Sequence, residues 1–282
     1  HVEKDDFQIH ALQELMLESV RRYRLKMPRI GSRKLYEMVK KELGSHPLFP
    51  GRDRFLDCLY ENHLMLKIKR RKRYKTTDSN HPYKRYPNLI KERVFTAANQ
   101  AWASDITYIE TKQGVCYLSV ITDLYSHKIV GWCLGNSLQA IHCHKALNQA
   151  LSNVKDKTQL IGLIHHSDRG CQYCSYDYVN RLKAYGIEIS MTESGDPLEN
   201  AVAERINGII KNELLHGLSF SDQQECFDCL TAAIDAYNYD RPHMSLGYQT
   251  PAEAHEQTGE QKRHWKTWSE RLKNKDSQKD FD

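Results

Sequence analysis

The sequence predicts an α/β core behind a small all-α front, and three observations carry that prediction. Apolar spacing is helical up to about residue 66 and becomes strand-like from Ala101. After three consecutive strands, helices alternate with single strands in the order βββαβαβα. Charge divides at the same place: up to Ala98 there are 23 Lys+Arg against 12 Asp+Glu, and from Asn99 onward 18 against 24. A basic front on an acidic body predicts a polyanionic partner held mainly by the front.

The front reads as three helices. Phe7, Leu12, Leu15, Met16 and Val20 repeat at helical spacing over Asp6–Leu25, and Pro28 and Gly31 end the run. Ser32 is the expected cap of SRKLYEMVKKEL, which stops at Gly44; Gly51 or Asp53 starts RDRFLDCLYENHL. Short helices joined by Gly/Pro turns in a basic setting fit a helix-turn-helix unit, against the plainer reading of a helical cap with a solvated face. KIKRRKRYK follows, with seven cations in nine residues: Lys67, Lys69, Arg70, Arg71, Lys72, Arg73 and Lys75. Tyr74, Tyr83 and Tyr86 lie among or just beyond these charges, a composition suited to tracking a phosphate backbone.

From Ala101 the segments WASDITYIE, VCYLSVITDLY and KIVGWCLG predict an antiparallel meander with turns at Lys112–Gly114 and near Ser126. Ser137 is the expected cap of the next helix, through Val154. QLIGLIHHSD reads as a buried strand, SYDYVNRLKAYG as a helix and IEISM as the last strand. The helix that follows carries Glu204. On an ideal helix Asn200, Glu204 and Lys211 fall within about 40° of one another, opposite Val202, Ile206, Ile209 and Ile210. SDQQECFDCL opens a further amphipathic helix before the YNYDRPH turn, and the end of the polar tail from Glu256 reads as disordered.

No run approaches the roughly 18 apolar residues of a membrane span, and no basic-then-apolar leader opens the chain. Because the first residue is His1, either an upstream continuation or a trimmed start is expected, and an upstream partner or fused segment could supply end recognition. The eight cysteines include the pairs Cys171/Cys174 and Cys226/Cys229. Cys226 and Cys229 sit inside an apparent helix and read as core thiols, with structural zinc as the alternative.

Three acids invite a metal-site reading: Asp105 within a strand, Asp168 at the end of another, and Glu204 on a helix, separated from Asp168 by 35 residues. Carboxylates suit magnesium, and two ions held by such a set clamp a phosphoryl displacement. Each acid also has a bland reading, as a sheet-edge partner of a lysine, a turn aspartate in S-D-R-G, and a surface helix glutamate.

WASDITYI, VITDLYSHKIVGW, HHSDRGCQY, SMTESGDPLENAVAERINGIIKNE and YNYDRPHMSLGYQTPAEA resemble, in order, the catalytic core of integrase-type transposases of the insertion sequence three family, relatives of retroviral integrases. MPRIGSRKLYEMV resembles the helix-turn-helix stretch ahead of that core. The resemblance implies a ribonuclease H-like core with a mixed five-stranded sheet flanked by helices, behind the small all-α domain. The implied divisions are 1–66 (helix-turn-helix-like DNA-binding region), 67–98 (basic linker), 99–218 (catalytic core) and 219–282 (C-terminal helix, YN–RPH element and polar tail).

It further implies Asp105, Asp168 and Glu204 as a metal-binding triad for two Mg²⁺ ions, Mn²⁺ substituting. DNA contacts are implied at Lys211, Asn200, His166, Arg241 and His243 beside the basic run; Asn238 shares the YN–RPH element, whose role is open. Glu199 stands where the family often has Asp, and Cys171 and Cys174 where it has small hydroxyl residues. The implied activity is DNA cleavage at element ends followed by attack of the freed 3′-hydroxyl on another phosphodiester. In the family the first attack joins the two ends into a circle before insertion. The implied partners are double-stranded DNA, as element ends and target, and further copies of the chain on paired ends. The implied place is the prokaryotic cytoplasm, at the nucleoid.

Overall fold

Glycine and proline punctuate the front as the sequence predicts. The computed structural model describes residues 2–66, 82–91, 93–193 and 197–260, so the basic run 67–75 and the tail from 261 lie outside the described residues. Helix α1 spans Val2–Lys26, α2 Ser32–Leu43 and α3 Arg52–Glu61. Gly31 and Gly51 occupy the N-cap positions in extended conformation, so Ser32 is the first helical residue of α2 rather than its cap. Leu12, Met16 and Val20 of α1 pack with Leu35 and Val39 of α2 and with Phe55 and Leu59 of α3. That cluster continues into Ile206, Ile210 and Tyr237, so the front is docked on the core.

The core is the predicted mixed five-stranded sheet. Strands β1 (Ala101–Thr111), β2 (Gly114–Asp123) and β3 (Ile129–Gly135) form the antiparallel meander. Strands β4 (Ile164–Ser167) and β5 (Glu188–Met191) add to β1 in parallel, giving the order β3-β2-β1-β4-β5. Trp102 and Ile121 face helices α4 (Ala140–Asn153) and α6 (Tyr176–Ala184), and the short α5 (Cys171–Cys174) joins that side. Ile109, Leu118 and Val120 face α7 (Ala201–Ile209) and α8 (Gln223–Asp235). A short α9 (Pro251–His255), closed by a Thr250/Glu253 capping box, completes the described chain. Gly131 lets α4 lie hard against β3, because a Cβ there would stand 2.2 Å from the Ala146 carbonyl oxygen.

Two elements begin later than the sequence predicts. Residues Lys157–Leu160 form a 3₁₀ turn capped by the Asp156 side chain, and Gly162 at φ +79 turns the chain before β4 starts at Ile164. The α4 helix starts at Ala140 with Gln139 at its cap, while the Ser137 hydroxyl bonds His142 instead, at 3.3 Å.

Both sheet edges are covered. The Asn238 amide accepts from Ile129 N (2.9 Å) and donates to Ile129 O (3.0 Å). Asn153 donates to Val130 O and Gln149 accepts from Trp132 N. Side-chain amides thus occupy the open edge of β3, which gives the YN element a structural task. At the other edge, Met191 N donates to Pro87 O and Leu89 N to the Ser190 hydroxyl, so the stretch 82–91 is docked along β5. Among the described residues no helix is long and apolar enough to cross a membrane.

Candidate active site

Parallel pairing of β1 and β4 brings two of the three acids together. Ala103 pairs with His166 and Ser104 with Ser167, so the next step in register sets Asp105 beside Asp168, just past the end of β4. Paired residues of a parallel sheet point to the same face. Asp105 shares that face with Val120, its partner on β2, which packs beneath α7 and α8. Glu204 rides on α7, exposed, over the same strand.

The charges of the three acids meet at Asp105. Burial, then the Asp168 carboxylate, and further down the Glu204 carboxylate push Asp105 up to about 7, against hydrogen bonds that favour its charged form. Those bonds come from Asn207 Nδ2 to Oδ2 (2.8 Å) and from Ile106 N to Oδ1 (2.9 Å). Asp168 accepts from Gly170 N at 2.9 Å. Among the described residues no three His, Cys, Asp or Glu side chains converge tightly enough to hold an ion without adjustment. The donor chemistry nevertheless suits a hard divalent cation: the acids are oxygen ligands whose mutual repulsion a cation relieves. Beside them Asn200 Oδ1 and Asn207 Oδ1 are buried with no hydrogen-bond partner among the described residues.

A polar layer on the opposite face holds the two strands in register. The buried His165 ring bonds the Ser104 hydroxyl (2.7 Å) and the Tyr178 hydroxyl (3.0 Å), and burial lowers it to about 3. This neutral imidazole ties β1, β4 and α6 together directly behind the acids.

The remaining sequence-predicted residues divide into two groups. Asn200, Glu204 and Lys211 do not lie along one α-helix. Residues Pro197–Asn200 are a 3₁₀ turn, α7 is α-helical only over Ala201–Ile209, and Ile210–Leu214 form a π turn that changes the phase. Asn200 turns inward and donates to Ser104 O at 3.2 Å. The Lys211 ammonium lies 3.7 Å from the Tyr108 ring centroid and 3.4 Å from the Thr107 hydroxyl, so it stays beside β1 at the edge of the site. It also borders an open groove of about 330 Å³ lined by Tyr108, Glu110, His216 and Leu218. His166 is buried, bonds the Ser190 hydroxyl at 2.8 Å, and is lowered by burial to about 4.

Arg241 and His243, expected as DNA contacts, are both buried. Arg241 is 3 % exposed and makes a bidentate pair with Glu213, 2.8 Å on each oxygen, while its other nitrogen meets His243 at 2.9 Å. A guanidinium so committed fastens the RPH turn to the π turn after α7, and the buried His243 serves the same joint. The seven cations of 67–75 lie outside the described residues. Asn207, which steadies Asp105, escaped the sequence reading; the only signal was its position three residues past Glu204, one helical turn on. Cys174 and Cys226 are buried, and burial pushes their thiols up to about 11 and about 12, so they behave as core groups.

A cleft of about 840 Å³ lies away from the acids, between β3, α4, α8 and the segment after α9. Its walls include Lys128, Gln149, Asp235 and His255, and none of the three acids.

Comparison with known proteins bears on the same residues. Two integrase core domain family models match residues 96–197 and 185–251. The 31 kDa protein of insertion element IS600 from Shigella sonnei is 37% identical over 232 residues, covering 81% of this chain and 84% of its own. The transposase of insertion sequence element IS904 from Lactococcus lactis is 36% identical over 185 residues, 61% of this chain and 72% of its own. Transposase InsF of IS3A from Escherichia coli is 34% identical over 166 residues, 58% and 57% respectively. Among solved structures, the HTLV-2 integrase catalytic core domain in complex with magnesium aligns at 22% identity. It covers 56% of this chain and 97% of its own, with a TM-score of 0.44. With more than four-fifths of the IS600 protein spanned at this identity and integrase core models matching through the acid-bearing strands, the chain belongs to the integrase-type transposases of the insertion sequence three family.

Proposed function

We propose that the chain cleaves DNA at the ends of a mobile element and joins the freed 3′-hydroxyl to another phosphodiester. Asp105, Asp168 and Glu204 are the acids that hold two Mg²⁺ ions, or Mn²⁺ in their place. The observation that carries this reading is the strand register that sets Asp105 beside Asp168, with the Glu204 charge felt at the same carboxyl. When bound, the ions stabilise the attacking and leaving oxygens of an in-line phosphoryl displacement. The chain's own groups orient that site. Asn207 and Ile106 N hold the Asp105 carboxylate, Gly170 N holds Asp168, and Lys211 stands at the rim, where it can meet a DNA phosphate. No Ser or Tyr nucleophile is needed, and water and the 3′-hydroxyl serve in turn.

In the same proposal, residues 1–66 bind DNA as a helix-turn-helix-like unit, 67–98 link it to the core at 99–218, and 219–282 brace the core. Two or more copies assemble on paired ends.

A duplex carrying a pre-cleaved end with a free 3′-hydroxyl, incubated with Mg²⁺ or Mn²⁺, is expected to yield joined product. A nuclease of the same fold would cut and never join, and a DNA-binding protein without catalysis would do neither; either result sinks the proposal. A second expectation concerns 67–75. Neutralising its seven cations should weaken duplex binding and flatten the salt dependence by about 0.9 in log–log slope for each phosphate no longer neutralised. An unchanged slope would remove this run from the interface.

A further inference from the structure

The joint between the front helices and α7 carries more positive charge than it neutralises. Glu213, in the π turn after α7, gives both carboxylate oxygens to Arg241. Lys34 of α2 reaches the same carboxylate only at 3.8 Å, with its side chain 17% exposed. Among the described residues Glu213 is the one carboxylate within ion-pair reach of either cation. Arg205 adds a third positive charge. It is exposed, follows Glu204 on α7, and is near enough to act on Lys34, His127 and His243. The two imidazoles add no charge, because burial and then nearby guanidinium groups hold both well below the usual histidine range. Three cations therefore face one anion. Burial, then Arg241, lowers Lys34 to about 8, the direction expected of an ammonium short of acceptors.

We infer that Lys34 and Arg205 form a phosphate-binding notch between the front helices and α7, occupied by the backbone of bound DNA. This rests on the reading that the chain works on DNA and adds where one strand crosses from core to front. Glu204 and Arg205 are neighbours on α7, and successive helical residues point about 100° apart. One helix thus presents an acid to the candidate metal site and a guanidinium to the notch. A phosphodiester oxygen would give Lys34 a closer acceptor than Glu213, which shares its carboxylate with Arg241 and stands 3.8 Å away. The guanidinium of Arg205 has the planar donor fork suited to such an oxygen pair.

The test is duplex binding in EDTA at several salt concentrations, which needs neither metal nor catalysis. Arg205→Gln and Lys34→Gln should each reduce the log–log salt slope by about 0.9, and the double variant by about twice that. At roughly 0.1 M salt each loss corresponds to about eightfold weaker binding. Lys34→Arg should keep the wild-type slope. Arg205 is exposed, so its variant decides the matter even if Lys34→Gln disturbs the docking of α2. Wild-type slopes in both glutamine variants would overturn the notch while leaving the proposed chemistry intact. Absence of DNA binding by the wild type would instead overturn the reading on which the notch rests.

Discussion

Asp168→Asn is expected to abolish both end cleavage and strand transfer, by at least about a thousandfold, while duplex binding in EDTA stays within about twofold of wild type. A thousandfold corresponds to about 4 kcal/mol of transition-state stabilisation, the scale expected for a charge held against the reacting phosphoryl group. Asparagine keeps the size of the side chain and an oxygen to accept from Gly170 N, so the turn after β4 should persist. What is lost is the negative charge that the proposal gives to metal binding. Joining by the variant at the wild-type rate would show that Asp168 holds no catalytic ion, whatever the register of β1 and β4.

Asp105→Asn should stabilise the metal-free protein above neutral pH. The Asp105 carboxyl is raised from 3.8 to about 7, chiefly by burial and the Asp168 charge. A raised acid pKa means that the folded state binds the proton more tightly than the unfolded chain. The associated stability is fully present below about pH 4 and is lost as pH climbs through about 7. The full shift corresponds to about 4 kcal/mol as an upper bound. Asparagine cannot ionise, but it also sets one amide edge against the Ile106 N–H, so a net gain of roughly 1–3 kcal/mol at pH 8 is expected. For a chain of this length that is a rise of several degrees in Tm. Millimolar Mg²⁺ should raise the wild-type Tm by binding the folded state, and should do much less for the variant. Calorimetry at pH 5 and pH 8, with EDTA or Mg²⁺, reads both effects. Identical pH and metal responses in the two proteins would remove Asp105 from the site.

Particular residues show how far the sequence reached. Gly31, Gly44 and Gly51 mark the boundaries of α2 and the start of α3, because local backbone freedom is written at single positions. The change from helical to alternating apolar spacing at Ala101 places β1 to β3, since a period of two needs no distant partner to be read. The pairing of Ser104 with Ser167 was not legible: β4 is four residues long, and nothing within it says which strand it will join. The YN–RPH element had no role legible in the sequence; in the structure Asn238 caps the β3 edge and Arg241 is buried on Glu213. Burial is decided by elements far away in sequence, here the π turn and the docked front.

The π turn at Ile210–Leu214 has the same origin. Apolar spacing cannot announce one residue inserted into a helical ladder, because the insertion is stabilised by what packs around it. By itself, then, the sequence determined the element types and the basic-front and acidic-body division, and it singled out three acids as candidate ligands. Those depend on short-range periodicity, composition and a distinctive set of motifs. Only the tertiary structure decided that Asp105 and Asp168 are neighbours, that Asn207 orients the first of them, and that Lys34 and Arg241 meet at Glu213. Each of these depends on packing between segments dozens or hundreds of residues apart, and long-range register is set by global packing rather than by any local pattern.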